Sequence, residues 1–268
     1  MNSNLILNQP GFVLANAKAL AQFSEDAYLP EAPRPFSYSA SGSMAPVVCD
    51  LDDASTDTHV TITENDDCIV IAFRGTRDLR NWITDCEIQK RKAESGKAET
   101  GWGRVHRGCL EAIDAVLPAI VTRLKSKASS PKPVIVTGHS LGGALAVLCA
   151  FFLEHSDLPV HSVYTFGQPR VGDALFAAAA NVTFGHKHFR IVDQCDIVCR
   201  LPGWLIGYRH SGQHCFITVA DALVMNPDLL TIALNDALGA YAAYRTVSDV
   251  VIEDHFMGNY LAALGKLN

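Results

Sequence analysis

The sequence predicts an α/β protein with a mostly parallel central sheet and helices on both faces. Two observations predict it. From residue 133 onward, short apolar strand-like runs alternate with longer helical ones, the arrangement that parallel strands joined by crossover helices require. One of these junctions, VIVTGHSLGGA over 134–144, is compressed to a serine between two glycines. Val134, Ile135 and Val136 read as a buried strand, and LGGALAVLCAFFLEH from Leu141 reads as a helix. Ser140 therefore stands on a tight strand-to-helix turn. Gly138 and Gly142 occupy the positions where a side chain would collide with that turn.

The remaining elements follow in order. Residues 13–28 place Val13, Leu14, Ala17, Leu20, Ala21, Ala27 and Tyr28 at helical spacing. Residues 58–63 alternate, 64–67 form a polar turn, and CIVIAF over 68–73 is an apolar strand, so the pair predicts a hairpin. Residues 87–101 are charged and irregular, as on a surface excursion. Residues 108–125 form an amphipathic pattern, within which Pro118 is expected to kink or split a helix. Then come strand 133–137, helix 141–155, strand 160–166, helix 172–180, strand 188–193 and strand 214–219. The stretch 220–247 is alanine-rich and helical, and a last helix is expected over about 254–265.

The 268 residues contain no repeat, low-complexity tract or Pro/Gly/Ser-rich linker, so 1–268 is read as one domain. A net charge of −6 with no basic tract argues against a nucleic-acid partner. No apolar run reaches the roughly 18 residues of a membrane span. The opening MNSNLILNQPGFVLANAKAL lacks a basic segment followed by a long apolar core, so no signal peptide is expected. Of eight cysteines, Cys68 and Cys149 sit inside elements like small buried hydrophobes, which favours a reducing compartment. A cytoplasmic location, or export without a recognisable leader, is the expectation.

The pattern G-x-S-x-G on such a turn is the nucleophile elbow of α/β-hydrolases, and that is the fold the chain is expected to adopt. A serine hydroxyl needs a base in hydrogen-bond reach, and the base needs an acid that fixes its tautomer. In this fold both partners follow the serine in the chain, acid before histidine. Among the histidines after Ser140, His255 has the best position, with His210 and His214 as alternatives. Asp193 and Asp196 both follow the strand FRIV at its carboxyl end, where α/β sheets hold ligands. Asp173, Asp249 and Asp254 fit helix caps instead. His139 is a poor base, because adjacent residues on an elbow point apart; lining the acyl pocket suits it better. The Leu141 N–H, at the helix N-terminus, is one expected oxyanion donor. AFRGTRD over 72–78 supplies the other through Thr76.

IAFRGT, NWITD, VHRG, VTGHSLGGALA, TFGQPRVGD, DQCDIVCRLP and a late DH occur here in the order found in class 3 lipases. Over roughly residues 10–263 the chain resembles this family, the fungal-lipase-like (Rhizomucor-type) triacylglycerol lipases with relatives in bacteria and plants; it is read as a bacterial-type member. The resemblance implies an α/β-hydrolase fold and a triad of Ser140, Asp196 and His255. It places the acid at Asp196 rather than Asp193, and the oxyanion donors at Thr76 and Leu141. It puts Tyr28, at the end of the first helix, in the substrate site. It also implies an acylglycerol or related ester substrate, met at a transient lipid–water interface. Fungal members carry a short lid past the oxyanion loop, which here corresponds to about 79–86, LRNWITDC, with Trp82 and Ile83 facing the acyl groove or oil. An ordinary packed loop is the alternative. The stretches 87–101 and 220–247 depart from compact fungal members.

No cofactor or metal is expected. Cys195 and Cys199, with His210 and His214 nearby, superficially suggest zinc, but a C-x-x-x-C pair straddling Asp196 is weak evidence for it. Feruloyl or short-chain carboxylesterases, phospholipases and thioesterases of this fold share the triad and are the alternative enzymes. A catalytically inactive binding protein would be expected to lack a triad member, and none is lacking.

Overall fold

The computed structural model describes residues 5–29, 47–77, 90–92, 101–126, 131–203, 205, 207–243 and 254–267. The chain runs α1 (Leu14–Asp26), β1 (Val47–Asp53), β2 (Thr58–Glu64), β3 (Ile69–Phe73), β4 (Lys90–Lys92), β5 (Arg104–His106) and α2 (Arg107–Lys125). It continues with β6 (Val134–His139), α3 (Leu141–Glu154), β7 (Ser162–Phe166), β8 (Gly172–Asp173), α4 (Ala174–Phe184) and β9 (His188–Asp193). Last come β10 (Tyr208–Arg209), β11 (Gln213–Ile217), β12 (Leu223–Met225), α5 (Leu229–Ala243) and α6 (Met257–Lys266).

The main sheet has the order β1-β2-β3-β6-β7-β9-β11-β12. From β3 to β11 every pairing is parallel, while β1, β2 and β12 add antiparallel edges. A smaller sheet, β10-β8-β5-β4, lies apart from it. Alternate residues of each strand face opposite ways. Ile71, Phe73, Val136 and Val163 enter one core with α2, α3 and α4. Val70, Ala72, Ile135, Tyr164 and Ile191 enter the other with α1 and α6. With both faces covered, the central strands carry apolar residues on both sides, as the sequence pattern required.

The structure corrects several expectations. Of the kink or split expected at Pro118, the split does not occur: α2 runs as one helix from Arg107 to Lys125. Pro118 and Asp114, one turn earlier, are both exposed, so the proline lies on the solvent side of α2. The expected helix over 172–180 begins as a two-residue strand, β8, and the helical stretch 220–247 contains β12 before α5 starts at Leu229. Strand β1 and the smaller sheet had no clear signal in the sequence. Of the irregular stretch 87–101, residues 90–92 form β4 and 101 precedes β5; 87–89 and 93–100 lie outside the described residues.

One part of the sheet face is polar. Arg190 on β9 pairs in register with His214 on β11, and His188 shares their face two residues earlier. The loop before β11 brings His210 over them, where its Nε2–H donates to the Cys199 carbonyl at 2.7 Å. Burial first, and then the Arg190 charge, pushes the His188 and His214 pKa values down to about 3 and that of His210 well below its ordinary value. All three rings are therefore neutral at pH 7. An unfolded histidine takes a proton below about pH 6.5. The folded His188 and His214 rings refuse it until about pH 3, and His210 refuses it to well below its ordinary value, so the unfolded chain binds more protons in that window and stability falls as pH drops through it. For the fully buried His188 alone, the loss at pH 5 is about 2 kcal/mol. The urea midpoint should be clearly lower at pH 5 than at pH 7.5; a midpoint constant across this window would mean the rings are not held neutral.

Candidate active site

Strand β6 ends at His139 and α3 begins at Leu141, which leaves one residue for the turn. Ser140 has φ 58° and ψ −129°, a region L-residues rarely occupy. Its N–H is secured on the Phe166 carbonyl at 2.9 Å. The flanking glycines are required by space. A Cβ on Gly138 would strike the Gly142 backbone, and one on Gly142 would strike the Phe73 carbonyl. Without side chains there, α3 presses directly onto β6 and β3. The serine hydroxyl is thereby presented to a cavity of about 390 Å³ lined by Tyr28, Thr76, His139, Ser140, His255 and Phe256, among others.

His255 precedes α6 and is almost fully buried. Its Nδ1 lies 2.8 Å from Asp196 Oδ2, and its Nε2 lies 2.8 Å from Ser140 Oγ. A carboxylate only accepts, so Nδ1 carries the proton and Nε2 is left to accept from the serine hydroxyl. Gly167, at φ 59°, leaves the room this needs: a Cβ there would lie 2.9 Å from the His255 ring and 3.0 Å from Asp196.

Asp196 is buried, which by itself raises its pKa. The His255 charge and hydrogen bond, the Tyr260 hydroxyl and the Val198 N–H outweigh burial and hold it below the usual carboxylate value. Tyr260 donates to Oδ2 at 2.7 Å and Val198 N–H to Oδ1 at 2.8 Å. Asp193, the alternative acid, is placed differently. Burial, then the charges of Asp254 and Asp196, raise its pKa to about 8. It is thus mostly protonated at pH 7 and does not reach His255. The alternative bases are engaged elsewhere, in the polar layer behind β9.

His139 stacks against His255, with ring centroids 4.7 Å apart. Its Nε2–H donates to the His255 carbonyl at 2.7 Å, so its Nδ1 accepts from Tyr28 Oη at 2.8 Å. Burial and the neighbouring His255 charge lower the His139 pKa to about 3, which keeps this tautomer neutral. Tyr28 in turn accepts from the Gly75 N–H. A continuous hydrogen-bonded chain thus joins the loop bearing Thr76 to the backbone of His255. Thr76 lines the cavity beside Ser140. Leu141 is the first residue of α3, where an N–H has no acceptor within the helix. Trp82 and Ile83, with the lid-like stretch 79–86, lie outside the described residues.

Tyr260 and Gly75 were not visible as site residues in the sequence. Tyr260 falls among Met257, Ala263 and Leu264 on the buried side of an amphipathic helix and reads there as core. The available signal was that a buried tyrosine needs a partner for its hydroxyl.

Residues 70–206, half of the chain, match the family model described as lipase (class 3). The chain belongs to the class 3 lipase family. This class 3 lipase homologue is 36% identical over 170 residues to a lipase of Rhizomucor miehei, a match covering 60% of this chain and 46% of the relative. It is 38% identical over 146 residues to a secreted mono- and diacylglycerol lipase of Fusarium solani, covering 53% and 42%. The chain thus spans about half the length of the curated relatives it matches. Its fold is the α/β-hydrolase fold. It superposes with a TM-score of 0.67 on a triacylglycerol lipase whose catalytic centre is described as a serine protease triad, at 27% identity, over 89% of this chain and 91% of that one.

The hydrogen bond from Tyr260 is to a buried carboxylate, which makes it a strong one. Tyr260→Phe should lower stability at pH 7 by about 1.5–3 kcal/mol, read from urea denaturation. A loss of only a few tenths would mean that the hydroxyl contributes little to holding Asp196.

Proposed function

We propose that the chain is a serine carboxylic-ester hydrolase that acts as a lipase on acylglycerols or related acyl esters. The observation that carries this reading is the unbroken contact from Ser140 Oγ through His255 to Asp196, 2.8 Å at each step. Ser140 attacks the ester carbonyl while His255 Nε2 takes the hydroxyl proton. Asp196 stabilises the resulting imidazolium and keeps it oriented. The oxyanion that forms is held by the Leu141 N–H and by Thr76. His255 then gives its proton to the leaving alcohol, and an acyl-enzyme remains on Ser140. Water, deprotonated by His255 in the same way, attacks the acyl carbon, releases the carboxylic acid and restores the serine.

The substrate class rests on the cavity and on the relatives. Tyr28, His139 and Phe256 give the cavity aromatic walls beside the serine, which suits an acyl chain. The relatives from Rhizomucor miehei and Fusarium solani carry the names lipase and mono- and diacylglycerol lipase. Contact with a lipid–water interface is part of the same proposal. Among the described residues, no helix is long and apolar enough to cross a membrane.

Two measurements test the reading. Ser140→Ala should abolish labelling by a fluorophosphonate and lower turnover by about a million-fold. Thr76→Ala should cost on the order of 100-fold to 1000-fold in kcat, and Thr76→Ser much less, because the hydroxyl survives. Nitrophenyl esters of increasing chain length, assayed beside emulsified triglyceride, then define the substrate. Activity confined to short soluble esters would make the protein a carboxylesterase, and an active Ser140→Ala would remove the assignment altogether.

A further inference from the structure

Helix α5 is built inside out. Its polar residues face the protein: the Val219 N–H donates to Asn235 Oδ1 at 2.7 Å, and Arg200 is ion-paired with Asp236 at 2.6 Å. Asn235 is buried. Leu229, Leu230, Ala233, Leu234, Ala237 and Leu238 form the opposite stripe, and all are exposed. Leu229 is 85% exposed and Leu234 56%. Exposed leucines at this density on one helix mark an interaction surface.

The anchors place this stripe. Val219 lies just beyond the carboxyl end of β11, and Arg200 lies four residues past Asp196. Helix α5 therefore sits on the edge of the sheet that also holds Ser140, Asp196 and His255. Phe256, half-exposed, is a wall of the cavity on that edge.

We propose that the exposed stripe of α5 docks on an uncharged lipid surface and holds the catalytic cavity against it. This rests on the ester-hydrolase reading for its substrate, and on the stripe itself for its occupant. The area favours lipid over a second copy of the chain. Ten residues of helix, about 15 Å long and 10–12 Å wide, give a footprint of roughly 150–180 Å², far short of the roughly 800 Å² per partner that a stable protein interface buries. A lipid surface needs no matching shape, and an apolar helix face lying in it is a sufficient anchor. The net charge of −6 and the aspartate before the helix, Asp228, work against an anionic surface, so the matching surface is one without net charge.

The test is sedimentation of the full chain with phosphatidylcholine vesicles and with phosphatidylcholine-coated triolein droplets, using Leu230→Gln/Leu234→Gln/Leu238→Gln. Lipid-bound protein should fall at least about tenfold, while turnover of soluble nitrophenyl butyrate stays unchanged. Leu229→Gln alone, at the most exposed position, should give a smaller loss in the same direction and serves if the triple variant does not fold. Failure of the unaltered chain to bind either lipid, or equal binding by the variants, would overturn the proposal. So would a dimer in light scattering that the variants abolish, since a second copy would then occupy the stripe. Loss of butyrate turnover in the unaltered chain would count against the ester-hydrolase reading and leave the sedimentation result standing by itself.

Discussion

The site depends on how closely α3 approaches the sheet. Gly138 and Gly142 leave no side chain between the first turn of the helix and strands β6 and β3, so the chain reverses within one residue. That residue, Ser140, is held at positive φ by a packed helix on one side and the Phe166 carbonyl on the other. The strain is localised where it is useful. It lifts the hydroxyl clear of the sheet and places it at a helix N-terminus, where free N–H groups and the helix dipole favour developing negative charge. Were the helix displaced by the thickness of a methyl group, neither the hydroxyl nor the Leu141 N–H would keep its place.

The other parts of the site come to this point from distant segments, and hydrogen bonds fix their relation. Asp196 follows β9, His255 precedes α6, Tyr28 follows α1, and Gly75 and Thr76 follow β3. Tyr260 ties α6 to the loop of Asp196, because its hydroxyl donates to the carboxylate and accepts from the Asp193 N–H. His139 ties the elbow to His255 and, through Tyr28, to the loop of Thr76. The contacts of Tyr260 and of His139 with His255 are buried and that of Tyr28 partly so, and the buried polar groups are satisfied by other members of the site. These ties are made without a disulfide among the described residues.

Burial also separates groups that look equivalent in composition. Asp193 and Asp196 are three residues apart. One is desolvated beside two other carboxyls and keeps its proton, while the other has four donors and loses it. His139 and His255 stack on each other, yet His139 spends both ring nitrogens on positioning and His255 has one free for the serine hydroxyl. The same logic inverts α5, where Asn235 and Asp236 find partners on the protein and the leucines are left outside.

The sequence by itself determined the alternation of strands and helices, the elbow at Ser140 and the limited choice of partners downstream, because these rest on local periodicity and on steric rules for single residues. It could not locate β1, β5 or β12, which are strands through ladder bonds to neighbours more than through their own pattern. Nor could it show which face of LLTIALNDALGAYAA would be covered, since that segment is apolar nearly all round. Which of Asp193 and Asp196 meets His255, the contacts made by Tyr260 and Gly75, and the neutrality of four histidines were decided by tertiary structure. Each depends on which groups meet in a dry interior, and distance along the chain carries no record of that meeting.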